Sequence, residues 1–321
     1  MESYSRDAFR NKLDGLVVHK TFRAAGLGTS SVLLALIALA LFSSSVLAQT
    51  SGRNDSRVQV DEKTSTVRPS LNFKLYRGYL IVVSGSVGGL KNLNFIVDTS
   101  TSPSIIDRRL VEKRGICQHS GSVSVPGEIV GAARAVLTDV QLGPISAKSL
   151  PVLALDLSYL GQELGTHIDM LIGLDVLGQS SFSIDYRSKR IFFGAPPTLP
   201  LTVPMDSGPP LVSVTASLDG RASRLLVNTG FPDFMLEDAF GERIQNVKID
   251  QSRLAINAAG GELVCKRGIV RSVRLGEMDL GEQAAVSVRR GRKDFDGSLP
   301  ITARFKEVAF DFEHHMLGIR K

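Results

Sequence analysis

Phe95-Ile96-Val97-Asp98-Thr99-Ser100 recurs further along the chain as Leu225-Leu226-Val227-Asn228-Thr229-Gly230. In both copies three apolar residues run into a short polar turn, the pattern of a buried strand that ends abruptly. The likeness extends in both directions. Upstream, Leu80-Ile81-Val82-Val83 matches Leu211-Val212-Ser213-Val214, with Leu80 lying 18 residues before Asp98 and Leu211 lying 17 before Asn228. Downstream, Val140-Gln141-Leu142-Gly143 matches Val273-Arg274-Leu275-Gly276, with the glycine at offsets of 45 and 48. Each copy closes on an apolar strand with an aspartate, Phe182-Ser183-Ile184-Asp185 and Val308-Ala309-Phe310-Asp311, at offsets of 87 and 83. Four landmarks in one order at nearly constant spacing mark an internal duplication.

The runs between these landmarks are short and β-type, such as Tyr79-Leu80-Ile81-Val82-Val83 and Ile191-Phe192-Phe193, and helical periodicity is scarce. Gly, Pro, Asp and Asn punctuate them at short intervals. The 30 glycines suit a turn-rich β protein, because glycine supplies positive φ where strands reverse. The sequence therefore predicts an all-β chain with few short helices. Residues 1–48 read as a leader, 49–70 as a flexible polar lead-in, 71–195 as a first lobe, 196–209 as a proline-rich linker and 210–321 as a second lobe.

Apolar-apolar-Val-Asp-Thr-Ser/Gly in duplicate, followed in the first copy by Ile168-Asp169-Met170-Leu171-Ile172-Gly173, resembles the retropepsin/pepsin-like aspartic peptidases. More specifically, it looks like the bacterial exported proteins with two retropepsin-like units. The resemblance covers about residues 71–321 and implies two half-barrel lobes around a central cleft, hydrolysis of peptide bonds, no cofactor and no metal. In such a site two carboxylates face each other. Like charges at that range cannot both ionise, so the pair shares one proton. The ionised member activates water and the protonated member donates to the substrate carbonyl.

Carried over residue by residue, Asp98 takes the first catalytic position and Thr99 locks its loop to the other. Ser100 stands where the family has glycine. In the second copy Thr229 and Gly230 match, but Asn228 replaces the aspartate. Asparagine is near-isosteric, so the loops can stay interlocked, and its NH₂ is able to donate to Asp98. It has no proton to share and removes the like charge. The dyad is degenerate, and proteolysis by the natural chain is in doubt. A non-catalytic periplasmic peptide-binding or scaffold module on the same fold is the alternative. Either way the expected partner is a peptide or protein segment in extended conformation.

Asp169 and Asp296 align as turn residues before the strands that pass behind the two loops, although Ile172-Gly173 becomes Leu299-Pro300 in the second copy. Pro126-Gly127-Glu128 and Ala258-Ala259-Gly260-Gly261 are candidate tips of hairpins that close over a ligand.

The formal charge is +6, of which +2 lies in the first 48 residues: Arg6, Arg10, Lys12, Lys20 and Arg23 against Glu2, Asp7 and Asp14. The densest basic cluster, Arg289, Arg290, Arg292 and Lys293, has no interleaved aromatics and reads as a solvated loop rather than a nucleic-acid surface. Val32–Phe42 is an unbroken apolar run followed by Ser43-Ser44-Ser45-Val46-Leu47-Ala48, which fits an export signal cleaved after Ala48. The run is shorter than the roughly 20 residues of a membrane span. The long basic stretch before it leaves an uncleaved anchor as the other option, and only then is a membrane a partner. The chain is expected outside the cytoplasm, periplasmic or extracellular. Cys117 and Cys265 either pair in that oxidising compartment or are two small buried hydrophobes. The five histidines show no metal-ligand spacing.

Overall fold

A computed structural model describes residues 33–34, 58–60, 68–125, 128–206, 211–237, 248–258, 261–288, 294–302 and 304–321. The leader, apart from Leu33–Leu34, the hairpin tips at 126–127 and 259–260 and the basic cluster 289–293 lie outside the described residues.

One set of strand pairings is built twice. In the first half Leu80–Val87 runs antiparallel to Leu90–Val97, with Val83 opposite Phe95. Met170–Ile172 then lies parallel to the end of Leu90–Val97, with Ile172 beside Val97. Its other edge takes Ile105–Asp107 antiparallel, and that strand runs parallel to Ile145–Leu155. In the second half Ser213–Leu218 runs antiparallel to Arg221–Asn228, and Gly297–Pro300 lies parallel to the latter with Leu299 beside Val227. Phe234–Glu237 pairs antiparallel with Gly297–Pro300 and parallel with Met278–Val288. Each half also carries a long hairpin: Cys117–Val125 with Glu128–Leu142, and Lys248–Ala258 with Gly261–Leu275.

Three-residue parallel strands threaded between two others are buried on both faces, so they read as continuous apolar runs rather than alternating ones. Met170, Leu171 and Ile172 are all buried, and so are the last four residues of Arg221–Asn228. This is why Phe95–Val97 and Leu225–Val227 are apolar without a break up to the polar turn.

The halves share a six-stranded antiparallel sheet. Its order is Ser70–Asn72, Arg190–Phe193, Phe182–Asp185, Glu307–Asp311, Met316–Arg320 and Leu201–Asp206. The two strands that close the sequence copies are its central pair, with Phe182 opposite Phe310. Their rings stack at 4.5 Å and 16° in the core. Asp185 and Asp311 hold the hairpin turns beyond them, by accepting from the backbone N–H groups of Arg187 and His314 respectively.

Two segments differ from the sequence reading. The stretch 196–209 contains the strand Leu201–Asp206, which joins the shared sheet to Ser213–Leu218 of the second half, rather than linker alone. The lead-in 49–70 contains Val58–Val60, antiparallel to Ile145–Ala147, and ends as Ser70–Asn72 begins. The prolines around Leu201 disguised the first, although Pro204 sits opposite Met316 and the strand's second edge is paired only from Met205 on, opposite Val214.

The first half carries the short helix Ser158–Leu164, ended by Gly165 in the left-handed conformation at φ 64°. It sits beside a second apolar cluster that includes Leu80, Ile96, Leu157, Leu160 and Leu171. The chain is thus all-β with barrel-like sheets and a few short helices, a retropepsin-like architecture. Among the described residues no helix is long and apolar enough to cross a membrane.

Candidate active site

Asp98 and Asn228 end matching strands, and the loops they open are bound to each other by four reciprocal hydrogen bonds. The Thr99 N–H donates to Thr229 Oγ1 at 3.1 Å, and the Thr229 N–H donates to Thr99 Oγ1 at 3.2 Å. Each hydroxyl then donates across to the strand of the other half, Thr99 Oγ1 to Val227 O at 2.8 Å and Thr229 Oγ1 to Val97 O at 2.9 Å. Threonine suits this position because one hydroxyl accepts and donates at once, while its methyl joins the surrounding core. All four partners are buried, so losing either side chain strands a donor and an acceptor away from water.

The lock is braced from behind in the same way in both halves. Asp169 Oδ2 accepts the Asn94 N–H at 2.8 Å, and Asp296 Oδ2 accepts the Arg224 N–H at 2.9 Å. The backbone returns both bonds: Asp169 N–H to Asn94 O and Asp296 N–H to Arg224 O, each at 2.9 Å. Asn94 and Arg224 each stand four residues before the loop residue, Asp98 or Asn228. These two aspartates are structural turn residues that fix the strands delivering Asp98 and Asn228.

The two loop residues are bound differently. Asp98 Oδ1 accepts the Ser100 N–H at 2.9 Å and the Ser100 hydroxyl at 2.6 Å, and Oδ2 accepts the Thr101 hydroxyl at 2.7 Å. Burial pushes its carboxyl above the usual range, against the downward pull of those three donors. Asn228 Oδ1 accepts the Gly230 N–H at 2.7 Å, the counterpart of the Ser100 N–H bond. Its Nδ2 lies 3.5 Å from Ser298 Oγ. In the first half Leu171 takes the place of Ser298, by the shared parallel register, and Phe231 takes the place of Thr101.

The sequence allowed a hydrogen bond donated by the Asn228 NH₂ to Asp98. Among the described residues none forms. The Asp98 oxygens are already taken by their own loop, and the Asn228 amide faces Gly230 and Ser298 instead. The loops are nonetheless in close contact. A Cβ on Gly230 would sit 3.0 Å from the Asp98 carboxyl carbon, so any larger residue there would press on that carboxyl. Ser100, the residue that departs from the family pattern, turns its extra atom into a donor to Asp98. Ser100 was a site residue in the sequence reading, but its hydroxyl was not recognised as a donor to Asp98, and Thr101 and Ser298 were not recognised as partners of the pair. The hydroxyls at 100 and 101 immediately follow Asp98 and were the available signal.

A second network holds the far side of the Asp98 loop. Asp175 accepts the Ser104 N–H at 2.8 Å and its hydroxyl at 2.7 Å, while Ser104 Oγ accepts the Gly173 N–H at 2.9 Å. The Leu174 N–H donates to Thr101 O at 3.0 Å. Gly173 passes so near that a Cβ would lie 2.2 Å from Thr101 O. Tyr159, on Ser158–Leu164, is near enough to Asp98 to feel its charge, although burial is the larger cause of its raised pKa.

Both hairpins stand where the sequence placed candidate closing elements, with Val125 opposite Glu128 and Ala258 opposite Gly261, and their tips lie outside the described residues. Cys265 is buried on the second hairpin.

Residues 83–176 match the family model of the aspartyl proteases, a span that includes Asp98, Thr99, Asp169 and the strand Met170–Ile172. The match supports an aspartic-protease-like family for the chain. A search of curated proteins gives no match.

Proposed function

We propose that the chain is a duplicated aspartic-peptidase relative whose two lobes hold an extended peptide in the cleft between them, with hydrolysis lost or much reduced. The observation that carries this reading is the inequality of the locked pair: a buried Asp98 served by three donors of its own loop, beside an Asn228 with nothing to ionise. Hydrolysis requires a base to take a proton from water and an acid to protonate the departing or developing oxygen. Asp98 can be one or the other at a given moment. Where a second carboxyl would complete the pair, Asn228 offers a neutral amide, so the proton has no second site.

The rest of the machinery is kept. The threonine lock, the braces at Asp169 and Asp296 and both hairpins support a cleft shaped for an extended strand. Backbone pairing between such hairpins and a peptide needs no dyad. The leader pattern supports action outside the cytoplasm, in the periplasm or beyond.

The test is to incubate the purified mature chain with a peptide library from pH 3 to pH 8, and to identify what is retained and what is cut. Intact, retained peptides are expected. Cleavage products that disappear in Asp98→Ala would overturn the non-hydrolytic part of the reading, and absence of any retained peptide would overturn the binding part.

A further inference from the structure

Asp107, Arg109, His167 and Asp169 meet around the turn that braces the first half. Asp107, fully buried at the end of Ile105–Asp107, holds Arg109 through both oxygens, with Arg109 Nε donating to Oδ1 at 2.7 Å and Nη2 to Oδ2 at 2.8 Å. The same carboxylate accepts the Arg109 N–H at 2.9 Å and the Leu157 N–H at 3.1 Å, so the guanidinium stands on a fixed base. Arg109 Nη2 also lies 3.0 Å from His167 Nε2. That nitrogen in turn lies 3.6 Å from Asp169 Oδ1, while Asp169 Oδ2 accepts the Asn94 N–H. The His167 side chain is half-exposed and Asp169 is buried, so the ring has room to turn and the carboxylate does not.

A guanidinium only donates, so the ring nitrogen 3.0 Å from Arg109 is an acceptor. The neutral ring therefore carries its proton on Nδ1. A second proton goes to Nε2 and ends that bond, because two cationic donors cannot share one contact. Asp169 Oδ1 stands beside the new N–H and serves no other donor among the described residues. A small turn of the ring brings the 3.6 Å separation within hydrogen-bond range.

The second half has the same turn without the ring. Its Asp294 O accepts from the Arg224 side chain at 3.4 Å, as His167 O accepts from the Asn94 side chain at 2.9 Å. Asp294 stands two residues before Asp296, as His167 stands two before Asp169, so the brace itself does not require an imidazole.

We propose that His167 is a pH-sensitive link in the first half: neutral, it ties the Asp169 turn to the helix Arg108–Glu112 through Arg109, and protonated, it leaves Arg109 and pairs with Asp169. Histidine is the side chain that ordinarily changes charge between pH 5 and 8. The charged groups facing the ring are Arg109 from the helix and Asp169 from its own turn. Asp107 and Asp156 act on it through Arg109, Asp156 while accepting the Ser158 N–H at 2.8 Å. Asp169 holds Asn94, four residues before Asp98, so the exchange is felt on the strand that delivers Asp98. The link does not depend on the peptide-binding reading.

The test is nuclear magnetic resonance of the purified full chain from pH 5 to pH 8, following the ring nitrogens of His167 and the backbone amide of Asn94. At pH 8 the ring proton is expected on Nδ1, with Nε2 bare. The Asn94 signal should move with the same midpoint as the ring. Arg109→Gln removes a neighbouring cation and should raise that midpoint by roughly half a unit, and Asp169→Asn should lower it by a similar amount. His167→Gln changes an exposed side chain, should leave the fold intact and should abolish the step at Asn94. A proton on Nε2 at pH 8 overturns the proposal. So does an Asn94 amide that ignores the ring's titration, a step that survives His167→Gln, or a midpoint that Arg109→Gln does not move.

Discussion

Asn228→Asp exchanges one NH₂ for an oxygen and leaves volume nearly unchanged. In the structure the residue's Oδ1 already accepts the Gly230 N–H at 2.7 Å, and that bond carries over. The new oxygen takes the place of Nδ2, 3.5 Å from Ser298 Oγ, whose hydroxyl can turn from acceptor to donor. Ser298 would then do for residue 228 what Thr101 does for Asp98. The change restores a second carboxyl, and a gain of about 10²–10⁴ in peptide hydrolysis is expected, the usual worth of a positioned acid or base. The gain should fall away at higher pH as the second proton leaves. Stability carries the opposite sign. A like charge raises one carboxyl of such a pair by roughly two to three units. A raised folded-state value favours the fold below the ordinary range and loses that contribution as pH rises through it. The variant should therefore be about 3–4 kcal/mol less stable at neutral pH than at pH 4, relative to the parent. A peptide-library digest read by mass spectrometry, with Asp98→Ala/Asn228→Asp as control, measures the first effect, and melting from pH 3 to pH 8 measures the second. A parent that cuts as fast as Asn228→Asp would refute the lone-carboxyl argument.

Thr229→Val should cost about 2–5 kcal/mol by chemical denaturation, because it strands Val97 O and the Thr99 N–H in the interior. Thr99→Val/Thr229→Val should cost less than the sum of the single changes, since they share bonds, and strict additivity would count against the lock. Ser100→Gly, made in the Asn228→Asp background, removes the 2.6 Å donor to Asp98 and should move the falling limb of the pH–rate profile up by about one unit. An unmoved limb would mean that this hydroxyl does not act on the pair. Asp233 has a folded-state value of about 6 against an ordinary 3.8, so its contribution to stability is present in acid and lost as pH rises through 6. That amounts to about 3 kcal/mol, and Asp233→Asn should flatten the corresponding part of the stability–pH curve.

The repeated strand-and-turn pattern was legible because a strand that dives into the interior must be apolar up to the turn that ends it. Phe95–Val97 and Leu225–Val227 say this twice, at matched distances from Leu80 and Leu211. Asp169 and Asp296 were legible as turn residues, but their service to Asn94 and Arg224 was not. Those bonds join residues more than 70 apart through a parallel pairing that no local pattern states. Leu201–Asp206 was hidden by the prolines around it, whose local signal is an irregular segment, whereas the partner Met316–Arg320 decides otherwise. Ser100 was legible only as a departure from glycine. Whether an added Cβ crowds a site or equips it depends on where its oxygen turns, and here that is the 2.6 Å bond to Asp98.

A working pair of carboxylates binds the transition state of hydrolysis far better than the peptide itself, and analogues of that state inherit a preference of 10²–10⁸-fold. The most direct measurement is therefore the affinity of the natural chain for a bound peptide and for the same peptide carrying a hydroxyl isostere at its central bond, titrated side by side near pH 4. With Asn228 in place the two should bind within about tenfold of each other, and Asp98→Ala should change the ratio little. A preference of a thousandfold or more in the natural chain, lost in Asp98→Ala, would show that Asp98 has found another acid and would contradict the account.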